Sequence, residues 1–272
     1  MDIKRVASAT VILPVVGIIL IWGNKYIVDI TFSIMAIMCL HEYFKAFRVS
    51  GKANPLEWIG YVAAICIAFI HLIPSEIALF SVGAIIPISI LVLFANVIST
   101  NLKVTINDIA ITFFGIVYLV LFVMFLPIIR EMKNGKILIW YVMWAAWGTD
   151  VMAYVVGKNF GKHKYLKISP NKTVEGTIAG MIGGVVACLL YTAVCNQVWN
   201  LEINYLYIGI ISLVLSIIGQ IGDLAASSIK RYNGIKDFSN LIPGHGGMLD
   251  RFDSVIFIAP FAYFLLKVLI LL

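Results

Sequence analysis

Long apolar runs, each bounded by a short polar cluster, recur from one end of the chain to the other. Nine of them suit membrane-crossing helices, at 6–22, 26–44, 57–73, 77–98, 109–129, 137–156, 175–198, 204–227 and 252–272. A helix needs roughly 20 apolar residues to cross the hydrocarbon core of a bilayer. The separators "WGNK", "RVSGKANP", "IPSE", "STNLK" and "REMKNGK" carry the turn formers and the charge. The first and third runs are short, which suits a tilted, partial or re-entrant helix. None of the runs alternates polar with apolar positions, and a membrane β-barrel would need alternating segments of about ten residues. The pattern predicts an all-α, polytopic helical membrane protein with about nine transmembrane helices. It forms a single integral membrane domain over 1–272, with N-terminal spans in 1–136 and a motif-bearing half in 137–272. Neither a repeat nor a soluble domain interrupts it.

Composition agrees. The chain is 61% hydrophobic and 12% charged, against about 25% charged residues in soluble domains. Such a chain could not cover its surface in water. The opening "MDIKRVASATVILPVVGIIL" resembles a signal peptide, but no A-x-A cleavage site follows and the next apolar run begins almost at once. It reads as a retained first helix. The cysteines Cys39, Cys66, Cys188 and Cys195 lie in or at the ends of apolar runs without a CxxC pair. They read as small buried hydrophobes, not a disulfide framework or a zinc site.

Lysine and arginine set the orientation. With nine spans and a cytoplasmic N-terminus, fifteen of the twenty cations face the cytoplasm and five the other side. The loop at 130–136 is the exception, with three cations on the wrong side. The long basic loops 157–173 and 228–251 are then both cytoplasmic.

Charge is concentrated in and beside these loops. In "SIIGQIGDLAASSIKR", Asp223 lies near the end of an apolar helix, and Ser227, Lys230 and Arg231 share its face at i+4, i+7 and i+8. A carboxylate there is costly to insert and faces a wet cavity or a partner, for which an intrahelical pair with Lys230 is the plain alternative. In "IPGHGGMLDRFDS", Pro243 and the glycines break the helix. Gly246 and Gly247 allow backbone N–H groups to approach an anion, as in phosphate-binding nests. His245 is either a donor in that turn or structural. Asp250 and Asp253 follow at the start of the last helix, where they are either ligands or partners of the helix dipole.

The third cluster is "WGTDVMAYVVGKNFGKHKYLKISPNKTVEGT". Asp150 lies within the sixth run, and Gly157 and Gly161 loosen its end. Ser169 or Thr173 can cap the seventh helix, and Pro170 suits its first turn. That helix start, beside Lys172, suits a phosphate. Glu175 is a dipole partner, or the partner of a metal or a lysine. His41 and Glu42 in "CLHEYFKAF" read as a salt bridge to Lys45 or Arg48. Together, the carboxylates can hold a hard divalent cation such as Mg²⁺, and the cations and glycines can hold phosphates. That chemistry suits a reaction between a soluble polyphosphate and a phosphorylated lipid at the cytoplasmic face.

The run Ser227-x-Ile229-Lys230-Arg231, then Lys236-Asp237, then Pro243-x-His245-Gly246-Gly247-Met248-x-Asp250-Arg251-Phe252-Asp253 resembles the signature of the phosphatidate cytidylyltransferase (CDP-diacylglycerol synthase) family, without departure. "GQIGDLAASSIKR" and "SPNKTVEG" resemble it too. The resemblance implies that phosphatidic acid and CTP give CDP-diacylglycerol and pyrophosphate with Mg²⁺, a second cation being plausible. Asp223 and Asp250 would bind the metal, with Asp253 as a ligand or beside one. Lys172, Lys230, Arg231 and Arg251 would hold phosphates, and Gly246 and Gly247 would admit the triphosphate. Ser169, Thr173, Glu175, Ser227, Lys236, Asp237 and Asp150 complete the substrate-binding set, with His245 among the catalytic residues. The expected partners are CTP, phosphatidic acid and membrane lipids, with no nucleic acid, and a second copy in a homodimer. The expected location is the bacterial cell (inner) membrane, multi-pass, with the active site facing the cytoplasm.

Two other enzymes and a transporter are weighed against this. A CTP-using lipid kinase resembling dolichol kinase would use similar parts but transfer the γ-phosphate. The DGxxAR…GxxxDxxxD pattern of CDP-alcohol phosphatidyltransferases is not in the chain. A transporter using Asp150 and Asp223 as an ion path would spread its acids near mid-membrane.

Overall fold

The computed structural model describes residues 16–73, 75–241 and 246–271. Most of the first apolar run, and Pro243 and His245 of the glycine turn, lie outside the described residues. Among the described residues every regular element is a helix: α1 (16–22), α2 (Lys25–Val49), α3 (Glu57–Ile65), α4 (Ser75–Ser99), α5 (Ile106–Gly115), α6 (Phe122–Glu131), α7 (Gly135–Phe160), α8 (Val174–Trp199), α9 (Tyr205–Tyr232) and α10 (Leu249–Leu271). An antiparallel bridge joins Lys164 to Thr173. Among the described residues, five helical stretches are long and apolar enough to cross a membrane: Lys25–Val49, Val82–Ser99, Ile106–Glu131, Val174–Trp199 and Tyr205–Tyr232. The chain is an all-α membrane protein.

Two irregular turns lie within these helices. After α3 the chain tightens into a 3₁₀ helix over Cys66–Leu72. Its steeper rise gives this 16-residue rod a length of about 27 Å, close to the ~30 Å hydrocarbon core. Cys66, expected inside, is exposed there, and its thiol donates to the Val62 carbonyl. Between α5 and α6 the backbone widens into a π-helical turn over Ile116–Leu121, one turn before Pro127, so the three pieces form one continuous rod.

Several helices outlast the apolar runs that predict them. α9 continues to Tyr232, and α10 starts at Leu249, so Lys230, Arg231, Asp250 and Asp253 are all helical. The breaker is Gly234 (φ +71°): Ile235 N–H donates to the Lys230 carbonyl and Gly234 N–H to that of Arg231. This is the Schellman pattern, which needs a left-handed residue just past the helix.

By packing, the residues form two compact units: 1–128 with 230–252, and 129–229 with 253–272. In the first, the Phe44 ring is fully buried, and Gly60 and Gly115 leave room for it; a Cβ at either would come within 2.9 Å of a ring carbon. Asp108 closes a capping box with Thr105 and accepts Asn54 N–H, tying the 51–56 loop to α5. Buried Asp29 holds His71 Nδ1 at 2.6 Å, which fastens the 3₁₀ turn to α2.

In the second unit, α7 and α8 approach almost backbone to backbone. A Cβ on Gly148 would lie 3.0 Å from the Gly183 carbonyl, and one on Gly176 only 3.0 Å from Gly157 Cα. Small residues allow such contact where lipid removes the hydrophobic drive between helices. Gly157 thus corrects an expectation. It does not loosen the end of α7, which stays helical to Phe160; it admits the start of α8.

Candidate active site

The predicted residues fall into two clusters, one in each unit. The first is built where α9 ends and α10 begins. The Schellman turn sends the chain back so that Phe238 N–H donates to Asp250 Oδ2 at 2.9 Å. Gly247 N–H donates to the same oxygen at 2.9 Å, and Lys230 Nζ donates to Oδ1 at 2.7 Å. The pair is buried, with side-chain exposures of 11% for Lys230 and 2% for Asp250. A buried carboxylate with three donors is compensated; without one, it is an unpaired buried charge. Gly246 has φ +85°, a conformation that favours glycine, and a Cβ there would meet Asp250 Oδ2 at 2.9 Å.

Behind this turn stands Glu42, two turns before the end of α2. Its carboxylate accepts Ser239 Oγ at 2.6 Å, Met248 N–H at 2.9 Å and Leu249 N–H at 2.8 Å. It therefore caps α10 from a distant helix, satisfying two donors that no intrahelical carbonyl can reach. Any side chain at Gly247 would overlap the Glu42 carboxylate. The expected salt bridge of Glu42 to Lys45 or Arg48 does not form, because Arg48 pairs with Glu57 instead. Likewise the anions gathered by the N–H groups of residues 247–249 are the protein's own carboxylates.

The second cluster gathers α7, α8 and α9. Asp150, Asn171, Lys172, Thr173, Gln220 and Asp223 line a cavity of about 210 Å³. Lys172 Nζ lies 2.5 Å from Asp223 Oδ2. The alternative of an intrahelical Asp223–Lys230 pair is therefore overturned: seven residues set them about 10 Å apart along α9, and each has another partner. Thr173, not Ser169, caps α8, accepting Gly176 N–H at 3.1 Å. Pro170 sits before the helix, in a turn closed by Lys172 N–H on the Ser169 carbonyl. Glu175 takes neither lysine nor solvent alone: it holds His163 Nδ1 at 2.5 Å and accepts the N–H groups of Lys162 and His163. This folds the basic loop onto the start of α8.

The remaining predicted residues are placed as follows. Ser227 is buried on α9, and Arg231 is exposed, donating to the Ile235 carbonyl. Lys236, Asp237 and Arg251 are exposed. Asp253 is buried and accepts Ser254 N–H at 2.8 Å. His245 lies outside the described residues.

The donor set suits a hard cation. In the second cluster, Asp150 and Asp223 supply carboxylates, and Asn171 and Gln220 supply amide oxygens. An ammonium already sits on Asp223. Among the described residues no three His, Cys, Asp or Glu groups converge in metal-binding geometry. Mg²⁺ needs fewer protein ligands than that, since it keeps waters and takes substrate phosphates.

Glu42, Asn171 and Gln220 escape prediction from sequence. Glu42 alone leaves a signal there, as an acid inside an apolar run, but its partners lie some two hundred residues away.

Fold and site together define an all-helical membrane protein with one buried lysine–carboxylate pair, Lys230–Asp250, and one part-exposed pair, Lys172–Asp223, at helix ends. More narrowly, the chain belongs to the Cytidylyltransferase family, whose pattern it matches over residues 3–269. It is similar to the phosphatidate cytidylyltransferase of Bacillus subtilis (strain 168), 33% identical over 97% of this chain and 98% of that protein. It is also similar to the phosphatidate cytidylyltransferases of Staphylococcus aureus (strain COL), 34% identical, and Staphylococcus epidermidis (strain ATCC 12228 / FDA PCI 1200), 31% identical; each match covers 96% of this chain and 98% of the relative.

Proposed function

We propose that the protein is a phosphatidate cytidylyltransferase, which transfers the cytidylyl group of CTP to phosphatidic acid. A phosphate oxygen of the lipid attacks the α-phosphorus of CTP, the bond from that phosphorus to the β-phosphate oxygen breaks, and pyrophosphate leaves. The product is CDP-diacylglycerol. The observation that carries this reading is the Lys230–Asp250 pair locked to the glycine turn. It joins residues scattered over the family signature into one network, in a chain similar over nearly its whole length to enzymes of that name.

The lipid phosphate has a second pKa of about 6, so near neutral pH it is already an anion and needs little help from a general base. Repulsion between two polyanions opposes attack, and the protein's work is to position and neutralise. Lys172 and Lys230, each held on a carboxylate, present ammonium groups without a search over rotamers. Arg231 and Arg251 add exposed guanidinium groups for phosphate. Mg²⁺, with a second cation as a further candidate, would supply charge neutralisation to the triphosphate when bound; Asp223 is its proposed carboxylate in the second cluster, and Asp250 and Asp253 stay proposed ligands that do not converge with it into a set of three. The lysine bias supports a cytoplasmic active site in a bacterial cell membrane, and the resemblance implies a homodimer.

The test is incubation of purified protein with phosphatidate, CTP and Mg²⁺, followed by lipid extraction. Label from α-³²P-CTP should enter the lipid and label from γ-³²P-CTP should not. Entry of the γ-label would identify a lipid kinase instead.

A further inference from the structure

A second, larger cavity of about 570 Å³ lies in the first unit, with Glu42 and Ser239 in part of its wall. Its walls differ in character. Ile37, Met38 and Leu241 are apolar, whereas His41, Lys45 and Asn240 are polar. The size suits a small amphiphilic ligand. Lys45 makes no ion pair among the described residues. His41 uses only Nδ1, towards Tyr61. The Tyr61 hydroxyl donates to Glu57 Oε2, so His41 Nδ1–H is the donor in that contact. This fixes the ring and leaves Nε2 as an acceptor, able to receive the O–H of a monoprotonated phosphate. Glu42, also in the wall, is held by three neutral donors and keeps its charge, which the Lys45 ammonium in the same wall opposes.

α2 leads up to this cavity along one face. Its outward residues are Ile27, Ile30 and Ile34, each about half exposed, then Ile37 and Met38, then His41 and Lys45. The spacing is helical, so they form one stripe, apolar first and cationic last. From Ile27 to Ile37 it rises about 15 Å, the depth of one leaflet's hydrocarbon. An apolar track ending in a cation, on a helix fit to cross a membrane, matches a lipid chain ending in an anionic headgroup.

We infer that the α2 face and the cavity at its end form the binding site for phosphatidate, with Lys45 and His41 on the phosphomonoester and Ile30, Ile34, Ile37 and Met38 along an acyl chain. This rests on the function proposed above and names the lipid subsite within it. A nucleotide triphosphate has no use for the apolar stripe. Met38 and Leu241 would meet the glycerol and the first methylenes.

The test uses the full-length protein in mixed micelles, with Lys45→Gln and Met38→Trp as variants. Lys45→Gln removes the cation; Met38→Trp fills the cavity without touching charge. Each should raise the KM for phosphatidate about tenfold, as expected for one charge-assisted contact, and leave the KM for CTP unchanged. Independently of activity, native mass spectrometry of delipidated protein should show phosphatidate retained by the wild type and lost from both variants. Phosphatidylcholine of the same acyl chains should bind neither specifically nor differently. Equal rises in both KM values, or unchanged phosphatidate retention, would overturn the site. Displacement of phosphatidate by glycerol 3-phosphate or inorganic phosphate at equal concentration would also overturn it, leaving a plain anion site. Wild-type protein that retains phosphatidate through Lys45 but forms no CDP-diacylglycerol would support the pocket and refute the proposed reaction.

Discussion

The Glu42 carboxylate and the Leu249 backbone N–H are 207 residues apart in sequence and 2.8 Å apart in space. One acid two turns before the end of α2 thereby fixes where α10 begins, and with it the position of Asp250. Glu42→Ala leaves the N–H groups of Met248 and Leu249 without their acceptor, a loss of about 1–3 kcal/mol for each buried group. Gly247→Ala should do comparable damage from the other side, by pushing a methyl into the carboxylate. Because both act on one contact, Gly247→Ala should cost little more in a Glu42→Ala background. Thermal unfolding of the four proteins decides: additive losses would show that the two residues do not share that space.

Asp250 tests chemistry against architecture. Its charge is nearly fully buried, so Lys230→Met should destabilise by about 3–5 kcal/mol through an unpaired carboxylate. Asp250→Asn removes that charge and keeps the shape. We expect turnover of folded, monodisperse Asp250→Asn to fall by orders of magnitude. A residue serving only as a helix cap would lose thermal stability with turnover per folded molecule unchanged.

Lys172 and Asp223 separate the two effects more cleanly. Their pair is partly exposed, 22% and 31%, and such pairs contribute only about 0–1 kcal/mol. Lys172→Ala and Asp223→Asn should therefore unfold within a few degrees of the wild type while activity collapses. Wild-type kinetics in Lys172→Ala would remove Lys172 from the substrate site.

Two glycine substitutions should have opposite effects on stability. Gly184 on α8 faces the buried hydroxyls of Thr149 and Ser216, with no space for a Cβ, so Gly184→Ala should cost about 1–3 kcal/mol. Gly209 on α9 has open space around it. Gly209→Ala should be neutral or stabilise by up to about 1 kcal/mol, through reduced backbone freedom. Equal unfolding temperatures for the two variants would contradict the close approach of α7 and α8.

The orientation of the chain is measurable directly. Single cysteines placed in 157–173 and 228–241 of a cysteine-free background should react with an impermeant maleimide only after the cytoplasmic side is opened. Labelling of either segment in intact cells would reverse the topology.

The helical membrane class, and the order and approximate extent of the helices from residue 26 onward, were legible in the sequence. Those follow from local physics: an apolar run of bilayer length must satisfy its own backbone hydrogen bonds, and helix is the way to do it within one segment. The sequence also reached Lys230, Asp250, Lys172 and Asp223 as a set, because charge beside a membrane span is too costly to be casual. Their pairing, however, came out differently. Spacing along α9 put Asp223 and Lys230 on one face, yet Lys230 goes to Asp250 and Asp223 to Lys172. A side chain chooses among all acceptors within reach in three dimensions, and the helical period ranks only those on its own helix. The same reason hid Glu42, whose local cations looked sufficient, and His163, which took Glu175. Gly157 of α7 reads as a helix loosener in one dimension and acts as a contact surface for α8 in three, because the space a Cβ would fill belongs to a neighbour that only the tertiary fold brings there.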